Sequence, residues 1–361
     1  MSIELIISLV KANIVLAVLL TNTILLIWFE RKVVAGMQSR VGPDRAGPFG
    51  ILQTLADAIK LLLKEQILPS KADRAMYLLA PLIALVPSFL IFMIIPLGPD
   101  ITVEWQNALY TIPLVGADLN VGVLYFLALS SIAVYSVVLA GWSSGSKYPL
   151  LGGVRASAQM ISYEAAMGLA LVPVILYSGS LSLVDIVNSQ SGNLSSSIPI
   201  LNTIVSFIPK WNIFPQFVAF GIFFIAAVAE VNRAPFDLVE AEQELVGGFH
   251  TEYSGFRFAM FFLAEYINMF NMCAITATFF LGGWLGPTFE GILPPIFSVI
   301  MPIIWLGVKT FLLLFVFVWI RATLPRLRYD QLMELGWKRM IPLSLVWLIL
   351  SAIVLGLREF G

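Results

Sequence analysis

This chain of 361 residues holds one cysteine and one histidine. An Fe–S cluster typically takes four Cys, or a mixed Cys/His set, and haem usually takes axial His, Met or Cys. Any redox cofactors are therefore expected on partner chains. The lone Cys273 lies in an apolar run, which excludes an intrachain disulfide and leaves the compartment unread. Charge is scarce as well, at 12% of residues with a net charge of −1. A nucleic-acid binder needs a basic face, so that class is excluded. Neither a Walker A pattern nor GxGxxG occurs, and no internal repeat is apparent.

What the chain has in abundance is apolar length. Hydrophobic residues make up 59% of it and the mean hydropathy is +0.91. Runs of about 18 or more apolar residues mark transmembrane helices. Eight are expected, near 5–29, 75–96, 120–141, 157–178, 214–231, 256–283, 302–322 and 341–357. The first is too long for a signal-peptide core and reads as a retained helix. The fold class is an all-α polytopic membrane protein, with residues 1–361 forming a single integral membrane domain.

Lys and Arg orient it. They crowd the segment after span 1 (Arg31, Lys32, Arg40, Arg45, Lys60, Lys64, Lys71, Arg74), the 3–4 connection (Lys147, Arg155) and the 7–8 connection (Arg321, Arg326, Arg328, Lys338, Arg339). The opposite loops, 97–119, 179–213 and 284–301, contain only Lys210. Both termini are expected on the outer, periplasmic side.

Residues 30–74 form a cytoplasmic connection with structure of its own. RVGPDRAGPFG (Arg40–Gly50) is turn-rich. After it Ile51, Leu52, Leu55, Ile59, Leu62 and Leu63 recur at helical spacing opposite Gln53, Asp57, Lys60 and Lys64. That is an amphipathic helix suited to the membrane surface, its polar stripe facing a partner, a ligand mouth or only the bundle. The outer loop 179–213, rich in Ser and Asn, reads as an exposed connection.

A charge at mid-span costs about 2.5–3.5 kcal/mol on insertion scales, so it usually lines a polar interior or fixes a buried pair. Glu164, about 13 Å along its helix from Arg155, favours the functional reading. Glu265, near Asn268 and Asn271, and Lys11 and Lys309 in the outer halves of spans 1 and 7, stand evenly between the two.

The densest chemistry lies in the acidic cytoplasmic loop, 229–255. Glu230, Asp237, Glu240, Glu242, Glu244 and Glu252 face Arg233 alone among permanent cations. Pro235 is placed to open a helix, which would set Asp237, Glu240 and Glu244 on one face and Glu242 elsewhere. Repulsion and partial burial both disfavour ionisation, so such a cluster titrates as a coupled set near neutral pH. The plain alternative is a solvated acidic face.

Five ordered motifs carry a resemblance: Glu30–Glu65, RASAQMISYE (Arg155–Glu164), AEVNRAPFDLVEAEQELVGGFHTEYSG (Ala229–Gly255), FFLAEY (Phe261–Tyr266) and RATLPRLRYDQLM (Arg321–Met333). Together they resemble the NuoH-type subunit of bacterial respiratory complex I, the family that includes subunit 1 of the mitochondrial NADH dehydrogenase. The resemblance implies a membrane subunit of a proton-translocating NADH:quinone oxidoreductase, with quinone as substrate and no redox cofactor of its own. FMN, NADH and the Fe–S clusters would sit on partner subunits. Those partners would be hydrophilic-arm subunits, carrying the terminal cluster and quinone site, and the small and antiporter-like subunits of the membrane arm. By resemblance Arg31, Arg40, Asp57, Phe258, Arg321 and Arg326 surround a quinone tunnel mouth. Glu164, Glu230, Asp237, Glu240, Glu242 and Glu244, with Arg233 beside them, belong to the family's acidic path. Val239 and Gln243 depart from its pattern without touching a charged position. The setting would be a bacterial plasma membrane in preference to a mitochondrial inner membrane.

Two other readings compete. One is the homologous membrane subunit of a hydrogenase or ferredoxin-linked complex that uses no quinone. The other is a stand-alone secondary ion transporter, against which stands the lack of broken mid-membrane helices and pseudo-repeats.

Overall fold

The computed structural model describes residues 3–105, 108–193, 209–238, 246–287 and 296–360. Its helices are α1 (Ile3–Met37), α2 (Gln53–Leu63), α3 (Arg74–Met93), α4 (Gly122–Ser143), α5 (Lys147–Ser178) and α6 (Leu183–Ser189). They continue with α7 (Phe217–Glu230), α8 (Gly255–Phe280), α9 (Ile296–Thr323), α10 (Tyr329–Glu334) and α11 (Ile341–Phe360). Seven of the helical stretches are long and apolar enough to cross a membrane, and α7 is a shorter apolar helix. All eight expected spans coincide with these elements.

Two boundaries differ in an instructive way. Span 4 begins at Lys147, ten residues before the expected 157, so Arg155 lies inside α5 and not in a loop. Gly152 and Gly153 dilute the hydropathy there because their job is close approach. A Cβ on Gly152 would lie 2.7 Å from the backbone of Gly248. Span 8 is entered through α10 and a π-helical segment, Leu335–Met340. The all-α reading holds for the bundle, but the connection between α3 and α4 also carries a small antiparallel hairpin, β1 (Ile101–Trp105) with β2 (Ala108–Ile112), Ile101 opposite Ile112.

Packing separates an inner column from a greasy rim. Tyr163, Met167, Phe223, Ile267, Phe279 and Phe280 are buried where α5, α7 and α8 meet. Leu343, Val346, Ile349, Ile353 and Leu357 stand exposed along α11, as do Ile14, Leu16 and Val18 on α1. A soluble protein would hide such surfaces; a bilayer covers them. At about 1.5 Å per residue, the 35-residue α1 runs about 52 Å, longer than a hydrocarbon core of about 30 Å. Its C-terminal turns therefore reach the polar layer on the side of the basic loops, carrying Glu30, Arg31 and Lys32 there.

The chain beyond α1 folds back on it. Trp28 Nε1 donates to the Phe49 carbonyl at 2.9 Å, and Lys32 Nζ to the Pro43 carbonyl at 3.0 Å. Gly50, at φ +78, passes so close to Pro43 that a Cβ would sit 2.3 Å from its carbonyl. The turn-rich segment is thus a fixed strap that sets α2 beside α1.

Candidate functional site

Glu30 and Arg31 are neighbours on α1, so their side chains diverge by about 100°. Arg31 points to α2, where its Nη1 lies 2.5 Å from Asp57 Oδ2 at the surface. Gln53 Nε2 donates to the other Asp57 oxygen at 3.0 Å. Partial burial pushes the Asp57 carboxyl up, but hydrogen bonds from Arg31 and Gln53 outweigh it and hold the group below its usual range. Glu30 turns the other way, into the bundle, where it is 4% exposed. There Arg233 Nη1 stands 3.2 Å from its Oε1, and Arg321 pairs with the same oxygen.

Arg233 is itself buried and holds a second acid. Its Nε is 2.7 Å from Glu265 Oε1, and its guanidinium lies 4.4 Å over the Tyr266 ring. Burial alone would lower its pKa; Glu265 and Glu30 reverse that and hold it well above the usual range. Two guanidiniums and two carboxylates from α1, α8, α9 and the turn after α7 thus form one neutral quartet. Sequence reading placed Arg233 beside the acids of its own loop and passed over Glu30, which looked like an ordinary helix end. An acid followed at once by two basic residues at the end of a long apolar run, Glu30-Arg31-Lys32, is the only local hint.

The backbone that presents Arg233 is a turn, not the start of a helix. Gln159 of α5 donates Nε2 to the carbonyls of Ala229 at 2.7 Å and Phe236 at 2.8 Å. Asn232 takes φ +54, a left-handed conformation that Asn tolerates. The Leu327 amide then claims the Pro235 carbonyl at 3.0 Å. The helix expected to open at Pro235 is therefore absent through Leu238, because tertiary bonds have taken its carbonyls. Glu240, Glu242 and Glu244 lie outside the described residues.

Behind the quartet a second pair of acids rests on two consecutive serines of α4. Ser130 donates to Glu230 and Ser131 to Glu164. Glu230 is 5% exposed and Glu164 is half-buried. A cavity of about 70 Å³ joins the two groups. Its lining includes Glu265, Asn268, Asp237, Asn232, Glu230 and His250. A water needs about 10–15 Å³ of such space and two to four polar partners, so the cavity takes several waters. The acids then follow one line, from Glu30 and Glu265 at Arg233, across the cavity to Asp237 and Glu230, and on by the serine pair to Glu164.

Of the residues expected at a tunnel mouth, the structure joins Arg31 to Asp57 and ties Arg321 to the neighbouring Glu30. Arg40, whose Nε donates to Gln38 Oε1 at 2.7 Å, lies just beyond the end of α1. Phe258 lies in the first turn of α8, its ring 4.8 Å from that of Phe262. This end of α8 is anchored to the link between α2 and α3, since the Ile67 amide donates to Ser254 Oγ at 3.0 Å. Arg326 lies in the link from α9 to α10. All six positions occupy one end of the bundle.

Lys309 belongs elsewhere. Its Nζ donates to the carbonyls of Leu281 at 2.6 Å and Gly283 at 3.0 Å, and to that of Leu285, and it lies 4.2 Å over the Trp211 ring. It ends α8 at the far side, away from the acids. Among the described residues no group of three or more His, Cys, Asp or Glu is placed to hold a metal ion.

A bundle of apolar spans with charged groups threaded through its centre defines a polytopic helical membrane protein. The chain belongs to the NADH dehydrogenase family, whose profile matches residues 10–352. It is 47% identical to an NADH-quinone oxidoreductase H subunit of Koribacter versatilis over 362 aligned residues, covering 98% of each chain. With the like-named protein of Syntrophobacter fumaroxidans it shares 51% over 336 residues, 93% of this chain and 92% of the relative. The like-named protein of Ralstonia nicotianae is 50% identical over 346 residues, 96% of this chain and 91% of the relative. The family read from the five motifs is thus the family of the chain.

Proposed function

We propose that this chain is the membrane subunit of an NADH:quinone oxidoreductase that forms part of the quinone access tunnel and the first acidic stretch coupling quinone reduction to proton translocation. The carrying observation is the pair Glu30–Arg31. One residue holds the surface clamp with Asp57, and its neighbour holds the buried quartet, so a charge change at the mouth is one residue from the acid line. Reduction of a quinone to a quinol takes two electrons and two protons. The electrons arrive from cofactors on partner subunits, since this chain has too few Cys and His to bind a cluster.

In this reading Arg31, Arg40, Asp57, Phe258, Arg321 and Arg326 shape the mouth. A charge change there perturbs Glu30 first, because Arg321 and Arg233 share its carboxylate. Arg233 passes the imbalance to Glu265, and cavity waters connect that group to Asp237 and Glu230. Glu164 continues the line into the bundle through Ser131. Glu240, Glu242 and Glu244 extend the same path by family resemblance. The signal would leave toward antiporter-like subunits of the membrane arm. The basic loops would lie on the cytoplasmic side of a bacterial plasma membrane, with both termini outside. The names of the relatives favour this reading over a quinone-free hydrogenase subunit.

The test is made on the assembled complex in sealed vesicles. Glu240→Ala and Glu244→Ala are expected to lower coupled quinone reduction while the complex remains assembled. Wild-type rate and proton translocation in both variants would contradict the acidic path.

A further inference from the structure

His250 stands in the cavity wall with Glu265, Asp237 and Glu230, and neither the quartet nor the serine pairs make use of it. A short 3₁₀ turn, Gly248–His250, carries it, and Gly152 of α5 lets that turn sit against the helix. Four phenyl rings hold the imidazole: Phe249 at 3.9 Å, Phe261 at 5.2 Å, Phe258 at 5.6 Å and Phe262 at 6.3 Å between centroids. Two of these, Phe258 and Phe262, are on the face of α8 that leads from the mouth to Glu265. The ring is thereby fixed by apolar packing at a place where every other polar group in the wall is an acid, an amide or a serine hydroxyl.

Burial among those rings pushes the imidazole pKa down to about 3, so the side chain is neutral under physiological conditions. A neutral imidazole carries one N–H donor and one bare acceptor nitrogen. Carboxylates offer acceptors only. A group that accepts from one water and donates to the next holds the direction of a water line, and His250 can do this between Glu265 and the Asp237–Glu230 side, alongside the Ser136 hydroxyl and the Asn232 and Asn268 amides of the same wall. The titratable groups about the cavity are Glu265, with Arg233 behind it, Asp237, Glu230 and His250.

We propose that His250 is a positioning residue of the acid line, a neutral donor and acceptor that orders the cavity waters between Glu265 and the pair Asp237 and Glu230. The inference rests on the acid-line reading above and deepens it. His250→Phe fills the aromatic cage and removes both hydrogen-bonding functions. His250→Gln keeps a donor and an acceptor without a titrating group in the physiological range.

The experiment uses the assembled complex in sealed vesicles, recording protons translocated per quinone reduced. His250→Phe is expected to lose coupling while quinone reduction continues, and His250→Gln to keep the wild-type ratio. Full coupling in His250→Phe overturns the proposal, as does equal loss in both variants, which is the mark of a packing role. If His250→Phe does not assemble, His250→Ala with and without added imidazole decides it: restored coupling supports the proposal and no restoration overturns it. Glu230→Gln is measured alongside. Normal coupling there removes the acid line itself, whereas an impaired Glu230→Gln with a normal His250→Phe removes only the role of His250.

Discussion

Arg233 and Glu265 close an ion pair of 2.7 Å inside the bundle, and the same guanidinium reaches Glu30 of another helix at 3.2 Å. Breaking a buried pair by removing one partner costs about 3–5 kcal/mol, because the remaining charge is left in a poor solvent. Arg233→Met leaves Glu30 with Arg321 and strips Glu265 of this partner. The expected outcome is a sharp fall in this subunit's content in the membrane and earlier thermal inactivation of the complex. Arg233→Lys should recover little, since an ammonium is a point charge without the guanidinium fork that serves two acids at once. Wild-type content in Arg233→Met would contradict the quartet.

The surface clamp calls for a different measurement. Asp57 has its carboxyl held below its usual range in the folded chain by Arg31 and Gln53. A depressed acid contributes fully above its unfolded pKa and loses that contribution only as pH falls through the folded value. The Arg31–Asp57 clamp therefore persists throughout the range of about pH 5–8, where no ordinary carboxylate titrates. Arg31→Ala and Asp57→Asn are expected to raise the KM for quinone more than they lower kcat. A step in KM between about pH 5 and 8 that vanishes in Asp57→Asn would show that the clamp titrates there, against this account.

Much of this is readable from the sequence, and the failures share a cause. The spans announce themselves through composition, and the strap through Pro and Gly. The start of α5 escapes a hydropathy reading because Gly152 is apolar-poor for a steric reason that only Gly248, far along the chain, explains. The helix expected at Pro235 fails because Gln159 and Leu327 claim carbonyls that local rules would leave to a helix. Glu30 and Arg233 are 203 residues apart, and nothing local marks one as the partner of the other. Glu265 and Lys309 look alike in the sequence as charges in spans. In the fold one is a member of the ionic line, and the other is a cap on α8.

That cap makes its own prediction. Lys309→Met leaves the carbonyls of Leu281, Gly283 and Leu285 without their ammonium, at about 1–3 kcal/mol for each buried acceptor left unsatisfied. The loss should appear as lower thermal stability of the isolated subunit or complex, with the ratio of protons to quinone unchanged in what survives. A change in that ratio at normal stability would instead place Lys309 on the proton route.

The most direct test of the central claim is the number of protons translocated per quinone reduced by assembled complex carrying Glu230→Gln in sealed vesicles. Gln keeps a hydrogen-bonding partner for Ser130 and removes the ionisable group. The account predicts an assembled complex that reduces quinone but moves fewer protons per turnover. A wild-type ratio at a wild-type rate would contradict it.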